Sequence, residues 1–213
     1  MNAVLKRESA SRQVMGRHLT LGLIVLVVWS TLGQSGTPRN WVYRESRFVV
    51  GPDVTLVVQN SLPKGGGVYT DTSGKKYSYV IFWTRVINRS RSRFELFMQY
   101  PREPFYIFPT PESFIRIFLP PEAMTAEKVQ LYDYGLSDWR SYLDLAFHRP
   151  STLHKIIEPG KEVYFYTQVL FRQAFGATRA ELVLDGENLR LIISIAPDVK
   201  SVAIPCGKLI RVN

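Results

Sequence analysis

Beyond residue 40 the chain is a succession of short apolar runs separated by turn residues. Val163, Phe165, Thr167, Val169 and Phe171 alternate with Tyr164, Tyr166, Gln168 and Arg172, and Leu189, Leu191, Ile193 and Ile195 alternate with Arg190 and Ser194. Successive side chains of a strand point to opposite faces, so each run predicts a strand with a core face and a more polar one. Tyr77–Val86 departs from this, with Tyr79, Ile81 and Trp83 on one side and Val80, Phe82 and Val86 on the other. That pattern predicts a central strand covered on both faces. In all, strands are predicted at 41–43, 48–50, 54–59, 77–88, 94–100, 114–119, 154–157, 162–171, 180–184, 189–195 and 208–212.

Turn chemistry divides the runs. Asp185-Gly186-Glu187-Asn188 predicts a hairpin, and Asn88-Arg89-Ser90-Arg91-Ser92-Arg93 a second one. Glu158-Pro159-Gly160 suits a tight turn, proline presetting one torsion and glycine supplying the positive one. Pro63-Lys64-Gly65-Gly66-Gly67 reads as a flexible loop. Between about 122 and 148 the period changes. Ser137 is placed to cap a helix from Asp138, with Trp139, Tyr142, Leu143 and Ala146 on one face and Arg140 and Asp144 opposite, ended by Pro150. A shorter helical turn is expected after Thr125. Short strands with frequent turn signals predict a mainly β protein, an antiparallel β-sandwich over residues 36–213 with this helical insertion.

The segments Tyr77-Ser-Tyr-Val-Ile-Phe-Trp83, Phe118-Leu-Pro-Pro121 and Ile204-Pro-Cys-Gly-Lys208 resemble those of uncharacterised exported Ig-like β-sandwich proteins of Bacteroidota-type Gram-negative bacteria. The resemblance covers most of the chain beyond residue 36. It implies an Ig-like sandwich and carries no activity with it.

The first 35 residues have a different composition. Lys6, Arg7, Arg12 and Arg17 precede an apolar run at 19–32, followed by the small residues Gly33 and Ser35. A basic start, a short apolar stretch and small residues at its exit form the pattern of a secretory signal peptide over 1–35, cut after Ser35 or Gly33. The alternative is an uncleaved anchor helix crossing a membrane through residues 19–33, although a full span takes about 20 apolar residues. Either way the remainder is expected outside the cytoplasm, in the periplasm or outer envelope, or held at the inner membrane.

Charge narrows the partners. The 213 residues carry a formal charge of +9, which falls to +6 without the four cations and one acid of the leader. The densest cluster, Arg85, Arg89, Arg91 and Arg93, reads as a solvated hairpin tip rather than a stripe that tracks a phosphate backbone, so nucleic acid is not expected as a partner. An envelope protein or polysaccharide suits the exported setting better. The single cysteine, Cys206, excludes an internal disulfide and reads as a small buried hydrophobe.

The search for catalytic chemistry yields no site. Gly135-Leu-Ser137-Asp138-Trp139 lacks the final glycine of a nucleophile elbow. His148 and His154 have no second histidine at helical spacing, so no metal ligands are expected. Ser73-Gly74-Lys75-Lys76 lacks the leading glycine and hydroxyl of a phosphate loop. Asp133, Asp138, Asp144, Glu122 and Glu127 around the insertion read as a solvated face. No catalytic residue and no cofactor are therefore expected, and the chain reads as a non-enzymatic envelope protein with a binding or structural role. A carbohydrate-binding module and a periplasmic hydrolase are the alternatives. Aromatic residues crowd 94–118 and are expected mostly in the core. Phe105-Tyr106-Ile107-Phe108, bracketed by prolines 101, 104, 109 and 111, cannot run as an interior strand. Phe105 and Ile107 are expected on one side of it, and Tyr106 and Phe108 on the other as the candidate partner or glycan surface.

Overall fold

The computed structural model describes residues 40–51, 54–174, 176–197 and 199–212, so the signal or anchor expected over 1–35 lies outside the described residues. The chain divides after Gly36 into two units, and the fold below belongs to the second. Its strands are β1 (Val42–Gly51), β2 (Val54–Ser61), β3 (Lys64–Thr70), β4 (Lys76–Asn88), β5 (Arg93–Tyr100), β6 (Phe114–Phe118), β7 (Ser151–Ile157), β8 (Glu162–Arg172), β9 (Ala177–Asp185), β10 (Asn188–Ala196) and β11 (Val199–Val212). Helix α1 (Trp139–Ala146) and two short 3-10 turns, Ala126–Gln130 and Tyr132–Gly135, lie between β6 and β7.

Two antiparallel sheets result. One has the order β1-β2-β4-β8-β6, with β3 continuing the β2 side of β4; the other has the order β7-β5-β11-β10-β9. Leu56, Phe82, Val169 and Ile117 from the first meet Leu96, Leu182, Leu191 and Ile204 from the second in one core, as in a β-sandwich. A second core lies on the other face of the first sheet. There Tyr79, Ile81 and Trp83 of β4 and Tyr166 and Leu170 of β8 pack with Tyr134, Leu136, Trp139, Leu143 and Phe147 of the insertion. This is why β4 is apolar on both faces: its two sides serve two cores.

The same layering corrects the reading of β8. The Tyr164, Tyr166 and Gln168 face, expected to be the more polar one, lies toward the insertion, with Tyr166 and Gln168 fully buried. Aromatic rings with one polar atom tolerate this when that atom finds a partner, and the Tyr166 hydroxyl donates to the Tyr134 carbonyl at 2.7 Å.

Three local expectations change. Lys64–Gly67 is not a free loop but the start of β3, and Gly65 and Gly67 have a steric purpose. A Cβ on Gly67 would stand 2.8 Å from the Tyr79 ring, which lies across the strand. Asn88–Arg93 is not a hairpin either, since β4 and β5 belong to different sheets and the segment arches between them. The buried Asn88 amide organises that arch. Its Nδ2 donates to the carbonyls of Ser92 (2.6 Å), Ile157 (3.1 Å) and Glu158 (3.2 Å), while Oδ1 accepts from the N–H and hydroxyl of Ser90. The Ile157 and Glu158 carbonyls stand at the end of β7 and in the β7–β8 connection, so one side chain ties two sheet crossings together. Lastly, Asp138 rather than Ser137 occupies the helix N-cap and no side chain caps it. The Ser137 N–H and hydroxyl instead donate to Glu122, a full charge that competes better than a helix end.

The remaining differences are of extent. β11 starts at Val199 rather than 208, and β7 at Ser151 rather than 154. Gly186-Glu187 forms the two-residue hairpin between β9 and β10, with Asp185 paired to Asn188. The long edges of the sandwich are joined by side chains acting as backbone. Asn60 of β2 accepts from the Leu182 N–H at 2.9 Å and donates to its carbonyl, and the Ser151 hydroxyl accepts from the Leu119 N–H at 2.7 Å.

Candidate binding cleft

Strand β6 forms one edge of the first sheet. Ile115 and Ile117 face the sandwich core, so Phe114, Arg116 and Phe118 face the insertion side. Arg116 is therefore a cation on a short strand of otherwise apolar residues, and it is 9% exposed. Three connections close around it. The turn between β3 and β4 brings Asp71, Ser73 and Lys75 and the start of β4 brings Tyr77, the end of the helical insertion brings Phe147 and His148, and the segment after β5 brings Arg102, Glu103 and Pro104. Together with Phe114 they line a cleft of about 520 Å³ that contains Arg116.

The guanidinium is held rigidly. It stacks over Phe147, 4.0 Å from the ring centroid, and Nη2 donates to the carbonyls of Arg102 and Phe147. Among the described residues no carboxylate lies within ion-pairing distance of it. Burial lowers its pKa, and the nearby Tyr77, Glu103, Tyr69 and Asp71 oppose that shift. A desolvated cation with no carboxylate in direct contact is an unfavourable arrangement that an incoming anion relieves.

The walls are equally ordered. Asp71 Oδ1 accepts from the Ser73 N–H, the Ser73 hydroxyl and the Lys75 N–H, and Oδ2 accepts from the Tyr77 hydroxyl. Burial alone would raise this carboxyl, but these hydrogen bonds outweigh it and hold it below the usual aspartate value. Burial, together with Asp71, pushes the Tyr77 phenol up. Rings run from floor to rim: Tyr77 lies 6.3 Å from Phe114, and Phe114 lies 5.7 Å from Tyr106 at an interplanar angle of 64°.

The two aromatic residues expected to form one surface are divided. Tyr106 is 64% exposed and packs on Phe114, which lines this cleft. Phe108 instead packs against the sandwich core together with Phe105 and Ile107. The irregular chain between Pro104 and Pro109 turns Phe108 inward. The Arg85–Arg93 cluster is dispersed as well: Arg85 pairs with Glu162 and Arg93 with Glu158, while Arg89 and Arg91 are exposed.

Three carboxylates of the insertion take part in hydrogen bonds. Asp133 accepts from Tyr79, Asp144 from Tyr69, and Glu122 from Lys128 and Ser137. Among the described residues no group of three His, Cys, Asp or Glu side chains could hold a metal ion, and no helix is long and apolar enough to cross a membrane. Arg116 escaped the sequence reading, although one signal pointed to it. A lone arginine in Phe-Ile-Arg-Ile-Phe sits where a strand covered on both faces should be apolar. No protein-family model matches the chain, and no curated protein matches it. Fold and site together describe a two-sheet antiparallel β-sandwich with one polar, aromatic-rimmed cleft at a sheet edge.

Proposed function

We propose that this is an exported, non-enzymatic binding protein of the cell envelope, built on an Ig-like sandwich, whose ligand is taken in the Arg116 cleft. The observation that carries the reading is the buried guanidinium of Arg116, fixed by two carbonyls and a ring yet lacking an acidic partner among the described residues. Buried charges are ordinarily paired, so an unpaired one opening on a cleft marks a place for an external partner. Export follows from the basic start and the short apolar run of residues 1–35. A catalytic role is less well supported, because the carboxylates nearest the insertion already serve structural hydrogen bonds.

Screening the full chain against glycans and envelope fractions tests the reading. A ligand is expected whose binding falls when Arg116→Gln is introduced into protein that still folds. Binding indifferent to Arg116→Gln, or hydrolysis of a bound polymer, would overturn it.

A further inference from the structure

The geometry points to a carboxylate-bearing sugar as the ligand of this cleft, with the acid group on Arg116 and the sugar ring against Tyr106. The inference deepens the binding-protein reading and rests on it. Three features carry it. First, the planar guanidinium is pre-oriented: Nη2 already serves the Arg102 and Phe147 carbonyls, so Nη1 and Nε are the donors left for an incoming carboxylate. Ordering that group in advance removes an entropic cost from binding.

Second, the cleft is of mixed charge. Lys75 and Arg102 are balanced by Asp71 and Glu103, so the walls do not form the cationic field that a highly charged polyanion would select. One negative charge with neutral hydroxyls around it fits this lining. Each hydroxyl needs both donors and acceptors, and among the lining residues the Lys75 ammonium offers donors and the Glu103 carboxylate acceptors.

Third, Tyr106 presents an exposed ring propped edge-on by Phe114, which itself lines the cleft. A pyranose has an apolar C–H face and a polar rim, the shape that an exposed aromatic at the edge of a polar cleft accommodates. An acidic peptide is the competing occupant, and the fold disfavours its usual mode of attachment here. Phe105 and Ile115 exchange both N–H to carbonyl bonds, at 2.8 and 3.0 Å, so the edge of β6 beside the cleft is already paired. A strand cannot add to it there.

The test measures binding of the full chain, by titration calorimetry, to oligomers of galacturonate, glucuronate and mannuronate. The same oligomers as methyl esters and poly-L-glutamate serve as comparisons. At least one uronate should bind, and methyl esterification or Arg116→Gln should weaken it about tenfold or more, the scale of one charge-assisted pair. Tyr106→Ala, at an exposed position, should keep the melting midpoint and weaken binding by about fivefold. That variant keeps the inference falsifiable if Arg116→Gln fails to fold. Binding of no uronate, or equal binding of acid and ester, overturns the acidic sugar. In the latter case a loss in Arg116→Gln leaves the binding-protein reading standing. Poly-L-glutamate bound as tightly as uronate, with no effect of Tyr106→Ala, assigns the cleft to acidic peptides. Uronate binding untouched by Arg116→Gln overturns both readings.

Discussion

Cys206 lies on β11 at 2% exposure, facing the core between the sheets. Burial pushes its thiol up to about 11, partly offset by the Tyr100 hydroxyl and the Leu191 backbone. The thiolate is the reactive form, so this cysteine should be inert in the native protein. A thiol reagent is expected to label it only after denaturation, and rapid native labelling would contradict its placement. Asp71 gives a pH-dependent expectation of opposite character. Its folded pKa is held below the unfolded one by hydrogen bonds that outweigh burial, so its contribution is present above about pH 4 and disappears as pH falls through the folded value. Asp71→Asn should therefore be less stable than the parent at pH 7, and the gap should shrink toward pH 3. Denaturant midpoints at the two pH values decide this, and a gap that widens on acidification would reverse the sign.

Elements depend on residues that work across them. Trp83 stands on β4 in the second core at 2% exposure, in contact with the rings of Tyr134 and Tyr164. Trp83→Ala should lower stability by about 3–5 kcal/mol, the usual range for emptying a large aromatic site. An unchanged melting midpoint would show that the insertion does not pack on this strand. Asn88 holds two crossings with one amide, and leaving the partners of that amide unpaired is expensive in a buried site. Asn88→Ala should lower stability by about 3 kcal/mol. Asn88→Asp, nearly the same shape, should be at least as harmful, because a carboxylate cannot donate and would face three carbonyl oxygens. If Asn88→Asp matches the parent in chemical denaturation, the amide is not what joins the arches.

At the scale of the whole molecule, two sheets share one core and one of them shares a second with the helical insertion. The insertion thus acts as a third layer over the first sheet, and its last residues complete the cleft. This explains why the cleft lies at the edge of β6: the layer ends there, leaving Arg116 covered by Phe147 on one side and open toward the turn before Tyr77. The proposed export belongs to this scale too. Expressed with its own leader in a Gram-negative host, the protein should be recovered outside the cytoplasm with a mass corresponding to a start at Gly36 or Gln34. A full-length species partitioning with inner membranes would show that residues 19–33 are an anchor.

The positions of most strands and of the helix were legible in the chain because burial has a period, two along a strand and about 3.6 along a helix. The two-faced apolar pattern of Tyr77–Val86 even announced a covering layer. Pairing was not legible, since the residues at 88–93 look alike whether they close a hairpin or cross between sheets. Only the partners of Asn88, nearly seventy positions away at Ile157 and Glu158, decide between them. The glycines at 65–67 read as a loop until the Tyr79 ring is seen lying over Gly65 and Gly67. The cleft was the least legible feature, because Asp71, Arg116 and Phe147 are far apart in the chain. No local period records which charge will be left without a partner once the layers close. Local chemistry sets the elements, whereas a binding site is made by segments that meet only in the folded chain.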